Sequence, residues 1–174
     1  LSHLGFSNYT ARFKSFDADL KFNPADPAAM SLTATVDPKS IETDFPFKTY
    51  DFNAVLQSKD WLDTAQFPTI SFVSKRVTLV APEAAMVEGD LTLHGVTKPL
   101  TLAVTFNGGW KSMQLDPGGA RIGFSAKAVF KRSDFGIAYG IPAPGTKMGV
   151  SDEVDVAIEA EFNSVKITEM PKTP

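Results

Sequence analysis

Residues 87–106 read VEGDLTLHGVTKPLTLAVTF, and the run alternates. Val87, Gly89, Leu91 and Leu93 fall on one parity, and Glu88, Asp90, Thr92 and His94 on the other. Beyond Pro99, Leu100, Leu102, Val104 and Phe106 alternate with Thr101, Ala103 and Thr105. Successive side chains of an extended chain point to opposite faces, so each half reads as a strand with one apolar face. The same period recurs along the chain. It runs through Ala18, Leu20 and Phe22, then Met30, Leu32, Ala34 and Val36, then Ile70 and Phe72. It returns in Ile122 through Phe130 and in Val154 through Phe162. With Phe6 to Phe13 at the start, about eight strands are expected.

Turn-forming residues separate these runs. Asn23-Pro24 with Asp26-Pro27, Ala81-Pro82, Asn107-Gly108-Gly109 and Asp116-Pro117-Gly118-Gly119 read as breakers. Short connections between successive strands imply antiparallel neighbours. One apolar face repeated this often suggests a sheet closed around its own interior. A two-sheet sandwich gives similar alternation. Residues 51–66 break the period and predict one or two short helical turns ending before Pro68. Ala138 to Met148 holds two Gly and two Pro and predicts a loop long enough to cover an opening. Residues 166–174 read as a loose tail behind a single domain over 1–165.

Composition narrows the function. The 174 residues contain no Cys, 2 His, and 14 Phe against 3 Tyr. Without Cys there is no thiol nucleophile, zinc ribbon or redox switch. The balance of 17 basic and 20 acidic residues lacks the basic footprint that nucleic acid requires. No run of 18 apolar residues predicts a membrane span, and no signal peptide is visible. His94 shares parity with Asp90 and Thr92, which predicts an exposed imidazole at a strand end. His3 reads as a hydrogen-bonded structural residue. Neither has the motif that a triad or metal site would show, so no catalytic or metal-ligating residue is assigned.

Two constellations stand out. If the alternation of 122–130 continues, Arg132 and Asp134 point inward together at a strand end. They then form either an ion pair closing the barrel or a polar anchor for a ligand head group. The aromatic residues either fill a solid core or line a cavity that holds one ligand. A long hydrocarbon chain in such a cavity gains about 0.8 kcal/mol per buried methylene.

Several segments carry a resemblance. They are His3-Leu4-Gly5-Phe6-Ser7, Phe16 through Phe22, Asp60-Trp61-Leu62-Asp63 before Phe67-Pro68-Thr69, and Gly89 through Pro99. Gly123-Phe124-Ser125-Ala126, Arg132-Ser133-Asp134-Phe135-Gly136 and Val150 through Val154 complete the set, in order. Together they resemble the YceI family of bacterial polyisoprenoid-binding proteins. The resemblance implies an extended eight-stranded antiparallel, lipocalin-like barrel enclosing a hydrophobic channel. It implies binding of a long-chain isoprenoid such as a quinone, or a similar amphiphilic lipid, with no enzymatic activity and no required cofactor. It also implies a periplasmic or secreted protein, often a homodimer. The expected channel residues are Leu20, Phe22, Leu32, Phe52, Trp61, Phe72, Leu93, Phe106, Phe124, Phe130, Phe135 and Ile158. Arg132 and Asp134 are the expected polar contacts. Residues 51–66 and 138–148 are expected to flank the mouth.

Many members carry an Asp-x-His-Leu stretch before the Asp60 motif. The matching positions here are Asn53, Val55 and Leu56, so any polar role of that His is absent. Members also begin with another half-strand before the His-Leu-Gly, which implies a trimmed first strand. Two other readings are a barrel hydrolase or isomerase using Asp134 with a His, and a solid-core protein-interaction module.

Overall fold

The computed structural model describes residues 1–47, 49–111 and 119–164. Seven strands dominate: β1 (Phe16–Lys21), β2 (Ser31–Val36), β3 (Ile70–Ala81), β4 (Ala84–Leu93), β5 (Val96–Trp110), β6 (Arg121–Lys131) and β7 (Glu153–Asn163). They form one sheet in the order β7-β6-β5-β4-β3-β2-β1, with every pairing antiparallel. Within this sheet the strands follow one another in chain order, whether the connection is the two residues 82–83 or the long stretches 37–69 and 132–152. One continuous sheet replaces the sandwich alternative.

The 87–106 stretch is the hairpin β4–β5. Leu93 pairs with Val96, leaving His94 (φ 52°) and Gly95 (φ 73°) as a two-residue turn. Positive φ at both central positions matches the right-handed twist of the flanking strands. Pro99 pairs with Asp90 of β4, below the point where β6 begins to pair with β5. A missing N–H is tolerated where a strand has one neighbour.

Asn107-Gly108-Gly109 corrects the sequence reading, because it makes no turn. Phe106 pairs with Phe124 and Gly108 with Gly123, so Asn107 is the extra residue of a bulge within β5. Gly108 adopts φ 124°, open to glycine alone in practice. The turn expected at 116–119 lies, up to Gly118, outside the described residues, as does the expected tail.

The sheet is strongly curled. Four strand spacings separate β1 from β5, about 19 Å if flat. Yet Phe22, just past β1, has its ring centroid 5.9 Å from that of Phe106 on β5. Among the described residues no ladder joins β7 to β1. Over the described residues the sheet is therefore a curled half-barrel of seven strands, and the expected eighth strand and closure are not seen there. The strand expected at 6–13 breaks into Ser7–Asn8, paired with Ser2–His3, and Arg12–Phe13, paired with Ile41–Glu42. Its apolar residues are spaced by three between Phe6 and Tyr9, which no single strand face accommodates.

An up-and-down sheet sends alternate connections to opposite ends. The N-terminal arm, the long 37–69 connection and the 132–152 connection gather at one end. That end is plugged by a buried core of Phe72, Val87, Leu91, Leu93, Leu102, Ala128, Phe135 and Ile137. Trp61, Leu62 and Ile70 pack against it. Gly89 lies on this inner face. A Cβ there would come within 2.5 Å of the Phe72 ring and 2.4 Å of the Val73 carbonyl oxygen. The outer face is polar and cross-linked, with Lys75 bound to Asp90 at 2.6 Å and Arg76 to Glu88 at 2.5 Å.

The helical turns expected at 51–66 include α1 (Phe52–Gln57), capped by the Asp51 carboxylate accepting from the Ala54 N–H at 2.9 Å. Asn53 ties α1 to the strand Ile41–Glu42 and to Thr43 just after it. Its Oδ1 accepts from the Thr43 N–H and hydroxyl, and its Nδ2 donates to Glu42 at 3.1 Å. That bond, the Asp44 N–H and Lys14 together lower the Glu42 pKa to about 2.

Gly89→Ala should destabilise the protein by about 1–3 kcal/mol, because the Phe72 ring must move to admit the methyl group. The urea midpoint of the variant measures this, and an unchanged midpoint contradicts the packing described. Glu42 supplies stability that is complete above its unfolded value of 4.5 and is lost as pH falls toward 2. Removing its main donor in Asn53→Ala should therefore flatten the rise of the midpoint between those two pH values. A slope equal to the wild type's would assign the acid limb to other carboxylates.

Candidate functional site

The inner face differs along its length. At the plugged end the apolar side chains are buried. Toward the other end Leu20, Phe22, Leu32, Phe106, Phe124 and Phe162 are only half-buried, and Ile158 is 37% exposed. Four rings gather there. Phe22 lies 5.9 Å from Phe106 and 5.8 Å from Phe124, Phe106 lies 5.4 Å from Phe124, and Phe124 lies 6.0 Å from Phe162. These separations are ordinary aromatic contacts. The rings come from β5, β6, β7 and the residue after β1, so only the curl brings them together.

The twelve channel candidates thus divide into groups. Leu20, Phe22, Phe106, Phe124 and Ile158 share the half-exposed inner face, and Leu32 borders it while packing against the core. Phe72, Leu93 and Phe135 are core, with Phe135 only 2% exposed. Phe130 and Trp61 pack against that core, and Phe130 meets Phe135 at 5.3 Å. Phe52 belongs elsewhere: its ring contacts Phe45, Tyr50 and Tyr9 beside α1. Phe162, one of the aromatic residues on the inward parity of its strand but not among the expected channel residues, joins the cluster. Ile137, also buried, follows an irregular turn and had no periodic signal.

Arg132 and Asp134 part company. Strand β6 ends at Lys131, and residues Arg132–Phe135 form a 3₁₀ turn closed by Gly136 at φ 79°. The strand phase therefore stops before either residue. Asp134 is exposed, whereas Arg132 is 3% exposed. The expected inward pair does not form. The Arg132 Nε donates to the Ser151 carbonyl at 2.9 Å and Nη2 to Val150 at 2.8 Å. Nη1 donates to Ile137 at 3.0 Å and Tyr139 at 2.8 Å. Its guanidinium lies 5.2 Å over the Trp61 ring. Burial pulls its pKa below the usual arginine value, and the charge of Asp152 opposes the shift. Asp152 also accepts from the Ser133 N–H and hydroxyl at 2.9 and 2.8 Å. Arg132 closes the plugged end through main-chain carbonyls.

His94 is half-buried, correcting the expected exposed imidazole. Its Nδ1 lies 3.0 Å from the Phe135 carbonyl, which makes Nδ1 the protonated nitrogen. The ring packs 4.5 Å from Phe67, and Nε2 is buried without a protein partner. The positive φ of His94 turns the side chain off the strand face that parity predicts. His3 pairs through its main chain with Val150. Among the described residues no carboxylate bonds either imidazole, and no group of His, Asp and Glu is arranged to hold a metal. No helix there is long and apolar enough to cross a membrane.

Comparison with known proteins adds four findings. A model of the YceI-like domain matches residues 1–162. The chain is 39% identical over 160 residues to a UPF0312 protein of Pseudomonas savastanoi pv. phaseolicola, covering 91% of this chain and 77% of that protein. It is similar to the crystal structure of a Campylobacter jejuni YCEI protein with TM-score 0.76 and 29% identity, over 95% of this chain and 91% of that one. A Burkholderia cenocepacia protein, BcnA, matches with TM-score 0.73 and 27% identity, over 88% of this chain and 87% of that one.

The contrast between the two polar residues is testable by unfolding. Arg132→Met removes donors from four carbonyls and should cost roughly 3–5 kcal/mol. Asp134→Ala should stay within about 0.5 kcal/mol of wild type. Comparable losses from both variants would restore the paired reading.

Proposed function

Because the chain belongs to the YceI-like family, whose fold binds hydrophobic ligands, we propose that it binds and carries a long-chain isoprenoid or similar amphiphilic lipid on the inner face of its half-barrel. The proposal includes a periplasmic or secreted setting, a homodimer and no enzymatic step. One observation carries it: the inner face stays apolar but is left half-exposed beyond the plugged core. Apolar side chains left partly open to water form a surface that gains free energy when an apolar ligand covers it. Phe22, Phe106, Phe124 and Phe162 meet one another on this surface. Each methylene slid between such rings is worth about 0.8 kcal/mol, so a chain of several prenyl units gains enough to part them. Leu20, Leu32 and Ile158 extend the apolar surface away from the rings.

The arrangement of the histidines supports binding without chemistry. A general base must lie within hydrogen-bond reach of the proton it takes. His94 is committed to a carbonyl on one nitrogen and enclosed on the other.

Organic extraction of purified protein, followed by mass spectrometry, should release a chain lipid at about one molecule per carrying unit. Phe124→Lys, checked for an intact circular dichroism spectrum, should lose most of that lipid. Recovery of no chain lipid, or of a small polar compound at stoichiometric amount, would overturn the proposal.

A further inference from the structure

Five exposed large apolar side chains sit on three adjoining loops at the plugged end. Phe6 is 82% exposed, Met148 73% and Phe47 66%, with Tyr50 and Tyr139 also exposed. They belong to residues 1–9, 45–50 and 138–149, which the up-and-down topology delivers to one end. The loops touch. The Leu4 N–H donates to the Gly149 carbonyl at 2.8 Å, and Gly5 lies against the Lys147 side chain. Tyr9 packs its ring 5.9 Å from Phe52 and donates its hydroxyl to the Thr43 carbonyl at 3.4 Å, which joins the arm to the 45–52 loop. Within that loop Phe45 contacts both Phe47 and Tyr50. Tyr139 packs on Trp61 at 5.5 Å.

Charge distinguishes this rim from the rest of the surface. The chain is net −3, yet residues 1–9, 45–50 and 138–149 contain no Asp or Glu. Their charged side chains are Lys48 and Lys147. Three of the carboxylates that flank these stretches are engaged, while Asp134, before the third, is exposed. Asp44 pairs with Arg12 at 3.1 Å, Asp51 caps α1, and Asp152 holds Ser133. Among the described residues Lys147 has no ion-pair partner. It borders a hollow of about 280 Å³ between the N-terminal arm and the 142–149 loop, which Ser2, Thr146 and Ser151 also line.

We propose that this rim docks on a lipid bilayer bearing anionic head groups. Its exposed Phe, Tyr and Met side chains enter the interfacial region, and Lys147 takes a head-group phosphate at the hollow. Rings with one polar edge favour the interface, and an isolated cation beside them is drawn to an anionic leaflet. A second copy seated on the same face would set two like-charged rims against each other, so the charge favours the bilayer. The rim lies opposite the half-exposed aromatic mouth. A docked molecule therefore keeps its lipid-binding mouth turned away from the bilayer, and the two surfaces can be disabled separately.

Flotation with vesicles of pure phosphatidylcholine, and of phosphatidylcholine with about a third phosphatidylglycerol, tests this. The wild type should float with the anionic vesicles. Phe47→Ser combined with Met148→Ser should weaken that binding at least about tenfold. Lys147→Glu should weaken it about fivefold or more and abolish the preference for anionic lipid. Val80→Ser, an equally exposed change at the opposite end, should leave it unaltered. Thermal unfolding confirms that each variant folds. Lipid extraction from the Phe47, Met148 double variant should match the wild type, so docking and carriage succeed or fail independently. Wild-type protein that stays with the soluble fraction overturns the proposal. So does equal binding by the double variant, or a rim whose mutation dissociates a dimer without affecting vesicles.

Discussion

Arg132 donates to four main-chain carbonyls, with no carboxylate among the described residues bonded to its guanidinium, and the plugged end is organised around that fork. A guanidinium presents five donors in fixed geometry and stays charged even when burial lowers its pKa. Here the donors reach Ile137 and Tyr139 on one side and Val150 and Ser151 on the other. Those carbonyls belong to the two ends of the long connection between β6 and β7. The same guanidinium covers Trp61 from the 37–69 connection. Val150 in turn bridges His3 of the N-terminal arm. One residue thus ties together segments that share no regular secondary structure. Irregular backbone has many carbonyls without ladder partners, and a cation with several donors satisfies them together.

Closing one end decides how the rest of the sheet is used. Phe135 and Ile137 are drawn under the turn and fill the base of the curl against Phe72, Leu91 and Leu93. Among the described residues nothing comparable enters from the other end, and β3 and β4 are joined there by only two residues, Pro82 and Glu83. The apolar face continues past the core with its side chains half-exposed. The fold therefore has a solid half and an aromatic half, and the reading of a lipid carrier rests on the second. The loops that make the solid half also carry the exposed apolar rim. Packing, ligand space and docking surface follow from the same asymmetry of connections.

Much of this was legible along the chain. Alternation in 87–93 and 100–106 implied the two strands, and short spacings implied antiparallel order. The inward parity of Leu20, Phe22, Leu32, Phe106 and Phe124 also held, because the pleat maps parity to face directly. Errors arose where that mapping stops. Gly108 serves a bulge instead of a turn, since both uses need the same backbone freedom. Asp134 follows a strand that has already ended, so its parity carries no information about direction. Phe6–Phe13 has apolar residues without a constant period and divides between two small pairings. His94 lies at a turn whose φ rotates it away from its neighbours.

By itself the sequence determined which segments extend, which face of each is apolar, and the antiparallel order. These are local properties, fixed by side-chain period and connection length. Only the tertiary structure decided how far the sheet curls, that no ladder joins β7 to β1 among the described residues, and which end is filled. Those outcomes depend on contacts between residues far apart in sequence, such as Arg132 with Tyr139 and Val150, or Phe22 with Phe124. No local period encodes such contacts, because they are set by the packing of whole elements in three dimensions.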